Sequence, residues 1–183
     1  MRKIVWLLAA VGGAALVSAV AAQGLAATPG VVGSAAPSPA TVLKFSTMTP
    51  VTGPYVGTAN PIRGEPGGGL PWLITAGTGS LKRDGHLLVR VRGLVLAKQA
   101  PVPTALQGIN PFPDFRALVS CQSIGAGNTA TIANVSTGDF KADTAGNSMI
   151  NARISLPRPC IAPVIFVTGP TGSDFWFSVT GSG

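Results

Sequence analysis

Leu87-Leu88-Val89-Arg90-Val91-Arg92 is the stretch that decides the fold. Leu87, Val89 and Val91 fall on one side of an extended chain and Leu88, Arg90 and Arg92 on the other, because successive side chains of a strand point to opposite faces. One face of this strand is apolar and the other is wet. The same period of two recurs in Phe115-Ala117-Val119-Cys121 against Arg116-Leu118-Ser120-Gln122. It returns in Ile150-Ala152-Ile154-Leu156 against Asn151-Arg153-Ser155, and in Phe175-Phe177-Val179 against Trp176-Ser178-Thr180. Residues 42–49, 72–76, 129–135 and 164–168 add four weaker strand candidates, rich in Val, Ile, Thr, Phe and Trp.

Turn residues separate these runs. Arg83-Asp84-Gly85 closes a hairpin into the Leu87 strand, Gly125-Ala126-Gly127-Asn128 precedes the fifth run, and Ala145-Gly146-Asn147 leads into Ile150. Asn110-Pro111-Phe112-Pro113 and Pro157-Arg158-Pro159 interrupt pairing, since proline donates no ladder hydrogen bond. Nothing after Ala40 has a helical stripe. Short strands with a turn signal beside each predict an all-β domain, an antiparallel two-sheet sandwich, with a closed barrel as the alternative.

Upstream, Met1-Arg2-Lys3 followed by the uncharged apolar run to Val20 and by Ala19-Val20-Ala21 reads as an export signal over residues 1–22. Left uncleaved, it would be a membrane anchor. Residues 23–40 are rich in Ala, Pro, Gly and Ser with no charge and read as a flexible spacer, so the sandwich is expected over 41–183. Export predicts a secreted or envelope location. It also makes Cys121 and Cys160 an expected disulfide, because both lie near the ends of core-facing rows and thiols outside the cytosol are not held reduced.

Charged residues make up 10% of the chain. Without Arg2 and Lys3, eleven Lys and Arg face six carboxylates, a net charge of about +5. The cations are scattered and form no nucleic-acid arm, so only a mild preference for anionic surfaces follows.

Chemistry-bearing residues are sparse. His86 is the only histidine, no Gly-x-Ser-x-Gly elbow accompanies it, and it reads as a residue flanking the hairpin turn. Glu65, Asp84, Asp114, Asp139, Asp143 and Asp174 lie mostly in turn contexts. Asp139, Asp143 and Asn147 do not have calcium-loop spacing, and one histidine with two cysteines cannot build a zinc site. Glu65-Pro66-Gly67-Gly68-Gly69 lacks the ending of a phosphate loop, and Asn134-Val135-Ser136 matches a glycosylation acceptor. No catalytic residue, metal or cofactor is expected. Trp176, Trp72 and Tyr55 are the ligand-binding candidates, with the large rings equally able to serve the core.

The run Phe140-Lys141-Ala142-Asp143-Thr144-Ala145-Gly146-Asn147, the alternating Ile150–Leu156, Cys160 and the closing Phe175-Trp176-Phe177 resemble immunoglobulin-like sandwich proteins exported by Gram-positive bacteria. The Asp-x-x-Gly-Asn element looks like a turn linking two edge strands in such domains. A tryptophan between the paired cysteines, typical of antibody domains, is absent. The resemblance implies a fold rather than an activity. Together these features predict a secreted, non-enzymatic binding or structural module whose partner is a cell-surface polymer or another extracellular protein. The alternatives are an extracellular hydrolase using His86 and a lectin-like polymer binder.

Overall fold

In the computed structural model, which describes residues 38–173 and 175–180, the deciding stretch is β5 (His86–Arg92). Leu87, Val89 and Val91 are buried, while Arg90 and Arg92 are exposed. β4 (Ala76–Lys82) pairs antiparallel with it across the Arg83-Asp84-Gly85 turn. Gly85 has φ of +83°, and a Cβ there would collide with the carbonyl of Ile154, so the turn requires glycine. β10 (Ser148–Arg153) lies on the other side of β5, and β1 (Thr41–Phe45) closes a four-stranded sheet in the order β1-β4-β5-β10.

The second sheet runs β2-β12-β11-β7-β8. Its strands are β2 (Met48–Pro50), β12 (Trp176–Thr180), β11 (Ile161–Thr168), β7 (Asp114–Ile124) and β8 (Ala130–Ser136). β9 (Phe140–Lys141) pairs with the start of β7 beside β8, and β3 (Trp72–Leu73) with β6 (Val95–Leu96) forms a small separate ladder. All pairings between these strands are antiparallel, and the sheets pack as a sandwich with no barrel closure. The export signal and the spacer through Pro37 lie outside the described residues.

The expected strand 42–49 is two strands, one in each sheet, with the chain crossing at Ser46-Thr47. β4 was hidden by its own composition, Ala-Gly-Thr-Gly-Ser-Leu-Lys, in which glycine disfavours strand. Gly77 and Gly79 are there because neighbours come very close, from the other layer at Gly77 and from within the same sheet at Gly79. A Cβ at Gly77 would meet the Met48 side chain, and one at Gly79 would meet the Phe45 ring and the Leu88 carbonyl.

Aromatic rings pack the β3–β6 ladder and the segment before β7 onto the six-stranded sheet. Trp72 stacks on Phe177 with centroids 4.1 Å apart, Phe112 lies 5.0 Å from Phe177, and Phe115 meets Phe177 edge-on at 5.9 Å. Each such pair adds about 0.5–1.5 kcal/mol beyond the area it buries. β12 carries one extra residue against β11, since Trp176 pairs with Thr168 while Ser178 pairs with Val167. The sequence reading assumed unbroken alternation here. The bulge interrupts it, and Trp176, Phe177, Ser178 and Val179 are all buried.

Cys121 and Cys160 form a disulfide across 39 residues, tying β7 to the entry of β11. Closing a loop of that length restricts the unfolded chain by about 4 kcal/mol in the entropy model. Replacing both cysteines by alanine should lower the unfolding free energy by about that amount, read from urea denaturation.

Candidate functional site

Of the aromatic candidates, Trp176 is 1% exposed, Trp72 is 2% exposed and Tyr55 is 45% exposed. Trp72 belongs to the aromatic stack between β3 and the six-stranded sheet. Trp176 lies under a strap, residues 51–71, that runs across the six-stranded sheet. The strap joins the edge of β12 through Gly68 N–H to the Trp176 carbonyl (2.9 Å) and Trp176 N–H to the Pro66 carbonyl (3.0 Å). The indole N–H donates to the Glu65 carbonyl at 3.1 Å. Arg63 donates to the carbonyls of Ser120 and Ala162 at 2.8 and 2.7 Å, and the Glu65 carboxylate accepts from Asn134 at 2.6 Å. A Cβ at Gly67 would strike the Tyr55 carbonyl and the Val51 side chain, which explains glycine in this stretch. The run 65–69 is therefore the seat of a tryptophan, and Tyr55 is the one candidate ring open to a ligand.

His86 faces Asn151, whose side-chain oxygen lies 2.9 Å from Nε2. Asp84 accepts from the His86 backbone N–H at 3.2 Å and from Arg153 at 2.8 Å. These bonds hold the β4–β5 hairpin against β10. The His86 backbone N–H, helped by Arg153, keeps the Asp84 carboxyl below the ordinary aspartate range. Asp143 is lowered in the same way by the backbone N–H and then the side-chain amide of Asn147. Asn147 also accepts from Gly93 N–H, and buried Asn110 donates to the carbonyls of Phe112 and Asp143. The Asp-x-x-Gly-Asn element thus links β9 beside the six-stranded sheet to β10 at the edge of the other. Asp139 serves a different loop, accepting from Thr171 N–H and hydroxyl. No group of three or more His, Cys, Asp or Glu gathers among the described residues.

The open surface is the outer face of the four-stranded sheet. Directly paired residues share a face. Arg90 pairs with Thr78 and Met149, Arg92 with Ala76, His86 with Arg153, and Ser80 with Lys44. Lys82, two residues after Ser80, lies on the same side. Five of the chain's cations, Lys44, Lys82, Arg90, Arg92 and Arg153, are thereby arrayed on one face with His86. The two ion pairs among the described residues are Arg153–Asp84 (2.8 Å) and Lys141–Asp114 (3.0 Å), which leaves Lys44, Lys82, Arg90 and Arg92 without an acidic partner there. At one end a groove of about 420 Å³ is lined by Arg90, Arg92, Lys141 and Met149. At the other a cleft of about 1090 Å³ is lined by Arg83, Arg153, Arg158 and Cys160. The sequence showed only one row of this array, Arg90 and Arg92, because the others lie far away in the chain.

Trp176→Ala should cost about 3–5 kcal/mol of stability, as removal of a core tryptophan does, with denaturant unfolding as the measurement. Asp84 and Asp143 hold their protons less tightly folded than unfolded. Their contribution is complete above about pH 4 and is lost as the pH falls through the lowered folded values. Between about pH 4 and pH 2 the stability of Asp143→Asn should therefore fall less steeply than that of the parent, seen as a flatter plot of urea midpoint against pH.

No protein-family model, characterised protein or solved structure matches this chain at a significant level. The geometry of the face and the strap carries the functional reading.

Proposed function

We propose that this protein is an exported, non-enzymatic binding module that holds an anionic polymer of the cell surface on the outer face of its four-stranded sheet. The observation that carries the reading is the in-register cationic array, with Lys44, Lys82, Arg90 and Arg92 lacking acidic partners among the described residues. Arginines two apart on one strand lie about 7 Å from each other, and neighbouring strands are about 4.8 Å apart, spacings over which a chain of repeating anionic groups can be followed. Like charges so placed repel one another, and a polyanion relieves that repulsion.

Export is supported by the apolar N-terminal run in the sequence and by the Cys121–Cys160 bridge, which suits an oxidising compartment. Thr78, Ser80 and Asn151 lie among the cations and supply hydrogen bonds to polymer oxygens. His86 and Asp84 act in this reading as hairpin supports, and no bond is made or broken.

The test is titration of the folded protein with linear polyphosphate and with an uncharged glucan. Binding to polyphosphate is expected, weakening as salt rises because exposed charges are screened over about 10 Å at 0.1 M ionic strength. Arg90→Glu with Arg92→Glu should abolish it with the fold intact by circular dichroism, while Lys98→Glu, off the face, should not. Salt-independent binding to the glucan that is lost in Tyr55→Ala would replace this reading with the lectin-like one. Tighter binding to duplex DNA than to polyphosphate would refute the choice of partner.

A further inference from the structure

We propose that β8 is a dimerisation edge, pairing antiparallel with β8 of a second copy to join two six-stranded sheets into one. β8 is the outermost strand of its sheet, seven residues long, with the sequence Ala130-Thr131-Ile132-Ala133-Asn134-Val135-Ser136. It has no charge, no proline and no bulge, and its register with β7 is unbroken from Ala130 to Ser136. A strand of that kind is a template for another strand, and soluble proteins ordinarily block it.

The other sheet edges of this molecule are blocked. β1 carries Lys44 and a register break between Thr41 and Leu43. β2 is three residues long and ends in Pro50, with the strap continuing along β12 beyond it. β10 carries Arg153 in an ion pair and is bridged by Ala142 at Ser148. Among the described edge strands of the two large sheets, β8 alone has no such device.

The chemistry of the strand selects a second copy as the occupant. A twofold axis at Ala133 sets Thr131 opposite the partner's Val135, a β-branched pair, and Ile132 opposite the partner's Asn134, so no charged side chain of β8 faces another. Ile132, Ile124 and Ile161 are 41%, 51% and 53% exposed, and Gln122 pairs with both Ile132 and Ile161 across the sheet. They form an apolar patch that the apposed strand begins to cover. The cationic array lies on the other sheet, which removes most of the repulsion between two basic copies from the joint.

Isologous pairing uses the edge of each copy once and closes at two. A twofold axis perpendicular to the joined sheet leaves both four-stranded sheets on the same side of it, so two cationic faces point in one direction. The dimer stands without the polymer reading; only its consequence, a bivalent surface with higher avidity for a long polyanion, rests on it.

Sedimentation equilibrium without polymer, on the exported protein with its disulfide intact, tests the pairing. A concentration-dependent dimer is expected, with alternate amides of residues 130–136 gaining protection from hydrogen exchange as concentration rises. Ile132→Lys and Thr131→Lys, both exposed in the monomer, should each raise the dimer Kd at least tenfold, while Met149→Lys on β10 should leave it unchanged. A monomer at about 1 mM protein, the weak limit of useful association, would overturn the proposal. So would a dimer insensitive to both β8 variants, or open-ended oligomers. Loss of polyphosphate binding with the dimer retained would count against the polymer reading alone.

Discussion

The hydrogen bond from the indole of Trp176 to the carbonyl of Glu65 is the constraint on which the rest of the molecule depends. A buried tryptophan needs a partner for its N–H, and leaving that donor unpaired costs about 1–3 kcal/mol. Here the partner comes from a segment 111 residues earlier in the chain. That segment also lends backbone groups to the edge of β12 and sends Arg63 to the carbonyls of Ser120 and Ala162. The strap therefore dries the outer side of the six-stranded sheet around Trp176. Ile165, Phe166, Val167 and Thr168 are buried in succession as a result, which a sheet with one wet face does not allow.

Which face stays open is settled by that covering. One layer of the sandwich has its inner side against the aromatic stack and its outer side beneath the strap. The other has its outer side in water, where Arg90 and Arg92 emerge from a strand whose alternate residues are fully buried. Three carboxylates lie with the six-stranded layer: Glu65 and Asp139 bond to its groups and Asp114 lies in β7 itself, while Asp84 stays at the hairpin of the cationic sheet with Arg153. The mild net charge of the chain hides this segregation. Five cations that looked scattered along the sequence become a field on one face of the folded molecule.

The alternation of β5, β7 and β10, and the turns at Gly85 and Gly146, were legible because each depends on neighbours within a few residues. β4 was not, since its glycines answer to Met48 and Phe45 in other strands rather than to any local preference. The bulge in β12 has the same origin, a register set by β11 that nothing in Phe-Trp-Phe-Ser announces. The burial of Trp176 was undecidable for a related reason. Alternation places the ring opposite Phe177, and only the strap decides whether that side is wet. The cationic array lies between these cases, with the row in β5 visible and the rows in β1, β4 and β10 visible only after pairing.

The two layers are consequently suited to different kinds of contact. A sheet covered over its middle on both sides keeps its margin for contact, and an edge offers backbone donors and acceptors that recognise another extended chain by shape, with little regard for side chains. A sheet open on one side offers side chains at fixed spacings, and when those are cations the contact is long-range, salt-dependent and tolerant of sequence in the partner. In this protein the edge without charge belongs to the covered layer and the charge without partners belongs to the open one. Exchanging the two would fail on both counts. Lysines along β8 would block pairing, and a neutral outer face on the four-stranded sheet would have no hold on a polyanion.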